Sequence, residues 1–320
     1  MINRDIIRTK VVQTLYSNHL NGGKSVDALE KDLFFSFSKT YELYINLLWL
    51  IVSITKEAAK LHLALSKRAE ESGEEPPSDK FIHNRFAMQL EANEALNAFV
   101  DKQGSTVAAK HPELVTRLYI LCTRSTYYKQ YIKNKEDNYE ADREIWRKLY
   151  KTVIQQDADI DLTLEDDCIF WNDDKEIVDT FVVKTIKKFE EANGSKQELL
   201  PEFDSEDEPN FARELLKTAA SNSEQYMKLM GEVLVNWDLS RLALMDIIIM
   251  KTAIAEIMAF PSIPLSVSLN EYINLAKLYS TPKSGSYVNG TLETVAANLY
   301  ERGLTAKRVE KTSDSKRIGK

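Results

Sequence analysis

An all-α fold is predicted by two features of the sequence. Only ten glycines and eight prolines interrupt 320 residues, while Leu, Glu, Lys and Ala, which tolerate the helix best, are plentiful. Apolar residues also recur at i, i+3 and i+4 spacing in one segment after another. With 43% hydrophobic residues the chain can bury the core of one large domain or of two ordinary ones.

The elements follow in order. Over residues 2–20, Ile7, Val11 and Leu15 stand at successive i, i+4 steps with Val12 and Tyr16 beside them, and Asn21-Gly22-Gly23 stops this amphipathic helix. Residues 41–65 read as a long helix. Its apolar run at 43–54 includes Asn46 and Ser53 and is shorter than the roughly 20 residues needed to cross a bilayer, so it is predicted as a buried helix. Gly73, Pro76 and Pro77 place a loop at 70–78, and Phe81, Phe86, Leu90 and Phe99 resume helical spacing over 81–101. After Gly104 and Pro112, residues 111–155 supply one or two helices rich in aromatics, among them Tyr119, Tyr127, Tyr128, Tyr131, Tyr139, Trp146 and Tyr150. These tyrosines, near Arg124 and Lys129, could stack RNA bases; packing between helices is the commoner use.

Residues 157–176 are acidic. The Asp157-x-Asp159-x-Asp161 opening invites a calcium-loop reading, but the turn glycine and the bidentate Glu of such a loop would fall on Leu162 and Cys168. Helical spacing returns at 177–189. Residues 195–209, acidic with two prolines, read as a flexible linker or exposed loop. Four helices are then predicted: 211–230; 239–258, apolar on most faces and therefore central, and ended by Pro261 and Pro264; one begun by Ser266 or Ser268 and running to about Tyr279; and a last one carrying Tyr287, Val288, Leu292, Val295, Ala296 and Leu299. Ser268 and Glu271 have capping-box spacing. Asn289-Gly290 falls inside the last helix, where a glycine costs about 1 kcal/mol relative to alanine, so a close-packed neighbour is expected there. The tail 307–320, with six basic residues against Glu310 and Asp314, is predicted to be disordered.

The domains expected are an N-terminal helical domain at 1–194, an acidic linker or loop at 195–210, a C-terminal bundle at 211–306 and the basic tail. The N-terminus lacks the apolar run and cleavage site of a secretory signal, and Cys122 and Cys168 lie far apart, so a reducing, cytoplasmic setting is expected, with both cysteines in cores.

Several chemistries lack the residues they need. No two glycines have G-x-G spacing, and there is no G-K-[ST] phosphate loop. His19, His62, His83 and His111 are scattered, without an H-E-x-x-H pair or a cysteine at ligand spacing, so no metal, cofactor or catalytic residue is expected. A formal charge of −7 repels nucleic acid overall, and any RNA contact must use a local basic patch.

The blocks Asn270-Glu271, Leu275-Ala276-Lys277 and Tyr287-Val288-Asn289-Gly290-Thr291-Leu292, within the stretch 236–299, resemble the C-terminal part of the NusB family of bacterial transcription antitermination factors. Gln13, Leu15 and Tyr16 are similar to that family's first helix, and Phe211 to Leu216 to the start of its third. The likeness covers about the first twenty and last hundred residues; residues 24–208 exceed the compact form and look like the long form of Bacteroidetes homologues.

The resemblance implies NusB-like helical bundles with a long additional helical region in the N-terminal half. It also implies a non-enzymatic factor that pairs with NusE, a small-subunit ribosomal protein, holds boxA-type ribosomal RNA and acts indirectly on the RNA polymerase elongation complex. By position the RNA face would use Arg4, Arg8, Lys10, Tyr16, Lys251 and Tyr287, with Lys251 where the family usually has arginine and Tyr287 where it usually has phenylalanine. Asp246 and Glu256 are either partner-facing acids or members of internal ion pairs.

Two departures bear on function. The family's N-terminal arginine cluster is thinned, with Asp5 among the survivors, so binding should neutralise fewer phosphates and depend less steeply on salt. Pro282-Lys283-Ser284 replaces acidic residues common before the last helix. The alternatives are a NusB-like helical interaction module without RNA binding, and an accessory subunit of an RNA methyltransferase.

Overall fold

The computed structural model describes residues 1–233 and 242–308. Residues 234–241 and 309–320, which hold the start of the predicted 239–258 helix and most of the predicted basic tail, lie outside the described residues. Fifteen α-helices occur among the described residues, in two compact units: residues 38–202 with Met1, and residues 2–37 with 203 onward. Residues 2–37, expected within an N-terminal domain, group instead with the C-terminal helices.

Helix α1 (Arg4–Leu20) is started by the Asn3 side chain, which accepts from the amides of Asp5 and Ile6. Gly22 and Gly23 take φ of 87° and 84°, a left-handed turn that only glycine adopts cheaply. Helix α2 (Val26–Ser72) runs for 47 residues and begins well before the predicted 41–65. Leu29, Leu33 and Phe37, at i, i+4 steps, are buried along its early part, and the 43–54 run is buried nearly throughout.

The predicted helix at 81–101 is two, α3 (Arg85–Glu91) and α4 (Glu94–Gln103), because Asn84 and Asn93 each cap a fresh start by accepting from Ala87 N and Leu96 N. Then come α5 (Val107–Lys110), α6 (Pro112–Arg124), α7 (Thr126–Lys133) and α8 (Tyr139–Leu149), with Ser125 and Asn138 capping the last two. Tyr131, Tyr139 and Tyr150 are buried and Tyr119 and Tyr128 partly so, whereas Tyr127 is exposed; Phe81 meets Tyr128 and Trp146 at centroid distances of 5.0 and 5.2 Å. A single π-turn at 150–154 continues α8.

The acidic stretch is largely helical. Asp157 caps α9 (Ala158–Asp167), a 3₁₀ turn covers Ile169–Trp171, and α10 (Lys175–Lys188) follows. Asp157 is also gripped by both terminal nitrogens of Arg117, at 2.6 and 2.8 Å. Cys122 is buried, whereas Cys168, expected in the core, is partly exposed at the end of α9. The segment predicted as a flexible linker is tied down over 197–201: the buried Asn93 side chain donates to Gln197 O, Tyr41 donates to Leu200 O, and the Met1 ammonium donates to Pro201 O.

In the second unit, α11 (Glu208–Ser221), α12 (Ser223–Val233), α13 (Leu244–Ala259), α14 (Leu265–Tyr279) and α15 (Ser284–Glu301) complete the bundle. Helix α13 is central and packs on α1, α11, α12, α14 and α15. Its apolar residues face all round, which is why Ile249, Met250, Ala253, Ile254 and Ile257 are fully buried.

Helix α14 starts at Leu265 behind Pro264, so Ser268 lies a turn inside it and forms no capping box; its hydroxyl instead donates to Glu256. Nothing approaches within 4 Å of where a Gly290 Cβ would sit, so close packing does not explain that glycine. The close approach is at Gly285, where a Cβ would meet Lys277 Cγ at 2.8 Å.

Candidate nucleic-acid interface

The basic residues of α1 divide into two groups. Arg8 points inward: Nε donates to Glu256 Oε2 at 2.7 Å and Nη2 to Glu256 Oε1 at 3.0 Å, while Nη1 reaches Asp5 at 3.0 Å. The Glu256 carboxylate, fully buried, also accepts from Ser268 Oγ at 2.7 Å and Tyr272 OH at 3.1 Å. Burial works against charge on the Arg8 guanidinium, but its hydrogen bonds to Glu256 prevail and raise its pKa. Arg8 therefore stands as an internal ion-pair member rather than a phosphate ligand, and Glu256 as its partner rather than an outward-facing acid.

Lys10 is likewise buried. Arg4, with 41% of its side chain exposed, stacks its guanidinium 4.9 Å from the Phe211 ring centre and lies 3.6 Å from Glu208. Tyr16 is half-buried. Asp246 is buried as well; its Oδ2 accepts from Ser284 Oγ at 2.8 Å, which leaves it poorly placed to face a protein partner. Tyr287 is half-buried near Asp246, and burial first, then that carboxylate, raise its phenolic pKa.

Lys251 opens onto a cleft. The cavity, about 180 Å³, is lined by polar groups from four places in the unit: Asn18 and His19 at the end of α1, Lys24 after the glycine turn, Ser223 at the first turn of α12, and Lys251 on α13. Lys251 Nζ donates to Ser223 Oγ at 2.6 Å, and burial lowers its pKa. Lys24 pairs with Asp32 at 2.6 Å. Two lysines and a histidine around a hollow beside the start of a helix suit an anion, since a phosphate oxygen there would restore the solvation that Lys251 lost.

His19, Lys24 and Ser223 were not singled out from the sequence. The available signal was the double glycine, whose left-handed turn brings Lys24 back beside His19. Arg4, Tyr16, Tyr287 and the Lys251 cleft are separate features of the unit, and Arg8 and Lys10 join it only from within the core.

The class that these features define is an all-helical bundle whose central helix lines a small cleft carrying Lys251 and Lys24. Residues 177–297 match the NusB family. Proteins named transcription antitermination protein NusB are similar to the chain: that of Salinibacter ruber is 29% identical over 128 residues, 38% of this chain and 80% of the relative. That of Geobacter sp. strain M21 is 30% identical over 122 residues, 35% of this chain and 84% of the relative, and that of Chloroherpeton thalassium is 42% identical over 72 residues, 22% and 34%. No solved structure matches. The chain belongs to the NusB family, with most of residues 38–202 beyond the matched region.

Proposed function

We propose that this protein is a cytoplasmic transcription antitermination factor that works by binding alone, holding boxA-type RNA of ribosomal transcripts together with a NusE-type ribosomal protein. The observation that carries the reading is the Lys251 cleft in the unit that holds most of the family match. In it Lys251, Lys24 and His19 serve one backbone phosphate, while Arg4, Tyr16 and Tyr287 contact the strand beyond. Arg8 positions α1 against α13 through Glu256. With Arg8 and Lys10 buried, α1 offers few cations to the RNA, so the contact is weak without its partner, which accounts for the need for a pair.

A second reading is favoured by the burial of Arg8 and Lys10: a NusB-like module that binds proteins and has lost RNA. Read-through in a purified transcription system separates the two. On a template with boxA ahead of a terminator, this protein with its cognate ribosomal protein raises read-through, and a scrambled boxA removes the gain. A gain that ignores the boxA sequence overturns the RNA reading and leaves the protein-binding one.

A further inference from the structure

In the unit formed by residues 38–202, the segment 157–179 concentrates charge. It holds ten carboxylates and one lysine, whereas the whole chain has a formal balance of −7, so the rest of the protein is slightly basic. Several acids are engaged internally: Asp157 and Asp159 with Arg117, Asp161 and Asp179 with Lys175, and Asp167 with Lys110. Asp159, Asp161, Glu165, Asp166 and Glu176 remain exposed to solvent.

The same segment exposes large apolar side chains. Ile169 is 78% exposed and Leu162 61%, with Ile177 and Phe170 near 40%. Exposure of one such residue is ordinary; four within sixteen positions, set among acids, is a concentration of the kind found at interaction sites. A cleft of about 370 Å³ is lined by residues of the same segment, Asp161, Trp171, Asn172, Lys175, Glu176 and neighbours. In each element the exposed apolar residue directly adjoins a cleft residue: Leu162 follows Asp161 on α9, Phe170 precedes Trp171 in the 3₁₀ turn, and Ile177 follows Glu176 on α10.

The floor of the cleft is tied by hydrogen bonds and ion pairs. Trp171 Nε1 donates to Lys39 O at 2.8 Å, and Lys175, itself mostly buried, bridges Asp161 and Asp179 at 3.1 and 2.8 Å, while Tyr150 OH holds the other Asp179 oxygen at 2.6 Å. Lys175 is thus committed, and the groups left to meet a newcomer are carboxylates, carboxamides and apolar side chains. They complement a cation on an apolar stem.

We propose that the α9–α10 edge is a docking surface for a basic amphipathic segment of a partner protein, with a lysine or arginine entering the cleft between Asp161 and Glu176 and apolar residues covering Leu162, Ile169, Phe170 and Ile177. The site is independent of the RNA-binding reading. It belongs to the unit of residues 38–202, and only its last residues, 177–179, fall within the family-matched region.

The test uses the full chain and a labelled peptide of leucine and lysine at amphipathic helical spacing, followed by fluorescence anisotropy. Two control peptides replace leucine by serine or lysine by glutamate. Affinity for the leucine–lysine peptide is expected to exceed that for either control by at least ~10-fold, and Leu162→Ser with Ile169→Ser to lower it by at least ~10-fold. Glu165→Gln with Glu176→Gln should weaken binding and flatten its salt dependence. Amide hydrogen exchange on the unaltered protein should show protection confined to 157–179, which decides the site even where a variant folds poorly. Equal binding of the serine control reduces the edge to a charged surface and overturns the proposal, as does protection elsewhere. Self-association in sedimentation that Ile169→Ser abolishes would make a second copy the occupant and overturn it too.

Discussion

Arg8 and Glu256, 248 positions apart in the chain, are joined by two hydrogen bonds of 2.7 and 3.0 Å inside the bundle, and both side chains are buried. The pair locks the first helix of the protein onto the central helix of its C-terminal unit. A buried pair is costly to break from one side, because the remaining charge loses its compensation without regaining water. Arg8→Met should therefore cost about 3–5 kcal/mol in urea unfolding. Adding Glu256→Gln should recover at least ~1 kcal/mol, the sign of direct coupling. A single substitution costing under ~1 kcal/mol would mean that the pair behaves as an exposed one.

The two helical glycines of the last element should respond in opposite ways. Gly290 has open space around its missing Cβ, so Gly290→Ala should raise stability by about 0.5–1 kcal/mol through helix propensity alone. Gly285→Ala sets a methyl 2.8 Å from Lys277 Cγ and should be less stable than Gly290→Ala by at least ~1 kcal/mol. Thermal unfolding of the two variants side by side measures this.

Alkaline unfolding should be steep. Tyr131, Tyr150 and Tyr272 keep their phenolic protons above the usual range, first because burial disfavours phenolate and then because each donates to a carboxylate, of Asp142, Asp179 and Glu256 respectively. With folded pKa values above the unfolded value near ~10, their contribution is intact below that pH and is lost as pH rises through the folded values, at about 1.4 kcal/mol per pH unit for each. Lys251 and Lys307, lowered by burial, act in the opposite sense, favouring the fold as pH rises up to ~10.4, where that gain is complete. The net fall should begin above that point, with tyrosinate absorbance rising in step with loss of helical circular dichroism. Absorbance that rises while helicity holds would contradict the burial assigned to these phenols.

The cleft makes a prediction in salt. Lys251→Gln should weaken boxA-type RNA binding by the paired factor and reduce the log–log salt slope by about 1. Arg8→Gln, at a temperature where it stays folded, should leave the slope unchanged, since its guanidinium is spent on Glu256. A slope altered by Arg8 and not by Lys251 would return the phosphate contact to α1.

Much of the helical organisation was legible in the sequence, because the burial of Ile7 and Val11 or of Leu292 and Leu299 is written in their spacing. Helix starts were partly legible: Asn84, Asn93 and Asn138 are good caps, but a cap is recognised only beside a known break, and apolar spacing ran across the first two. Ser268 shows the limit from the other side. Its capping-box spacing was real, yet its hydroxyl is drawn to a carboxylate twelve positions earlier. The candidate site was the least legible part. A basic residue on a first helix reads as solvent-facing until its acid partner is placed opposite, and nothing local to Arg8 announces Glu256. Gly290 misled similarly, since a sequence shows that a side chain is missing and not whether anything fills the space.

The most direct measurement is RNA affinity of the stoichiometric complex formed with the cognate NusE-type ribosomal protein. Titrated against boxA-type RNA and a scrambled strand of equal length, the complex should bind boxA at least ~10-fold more tightly than the scrambled strand and than either protein alone binds boxA. A complex that forms but shows no preference between the two strands would contradict the antitermination account.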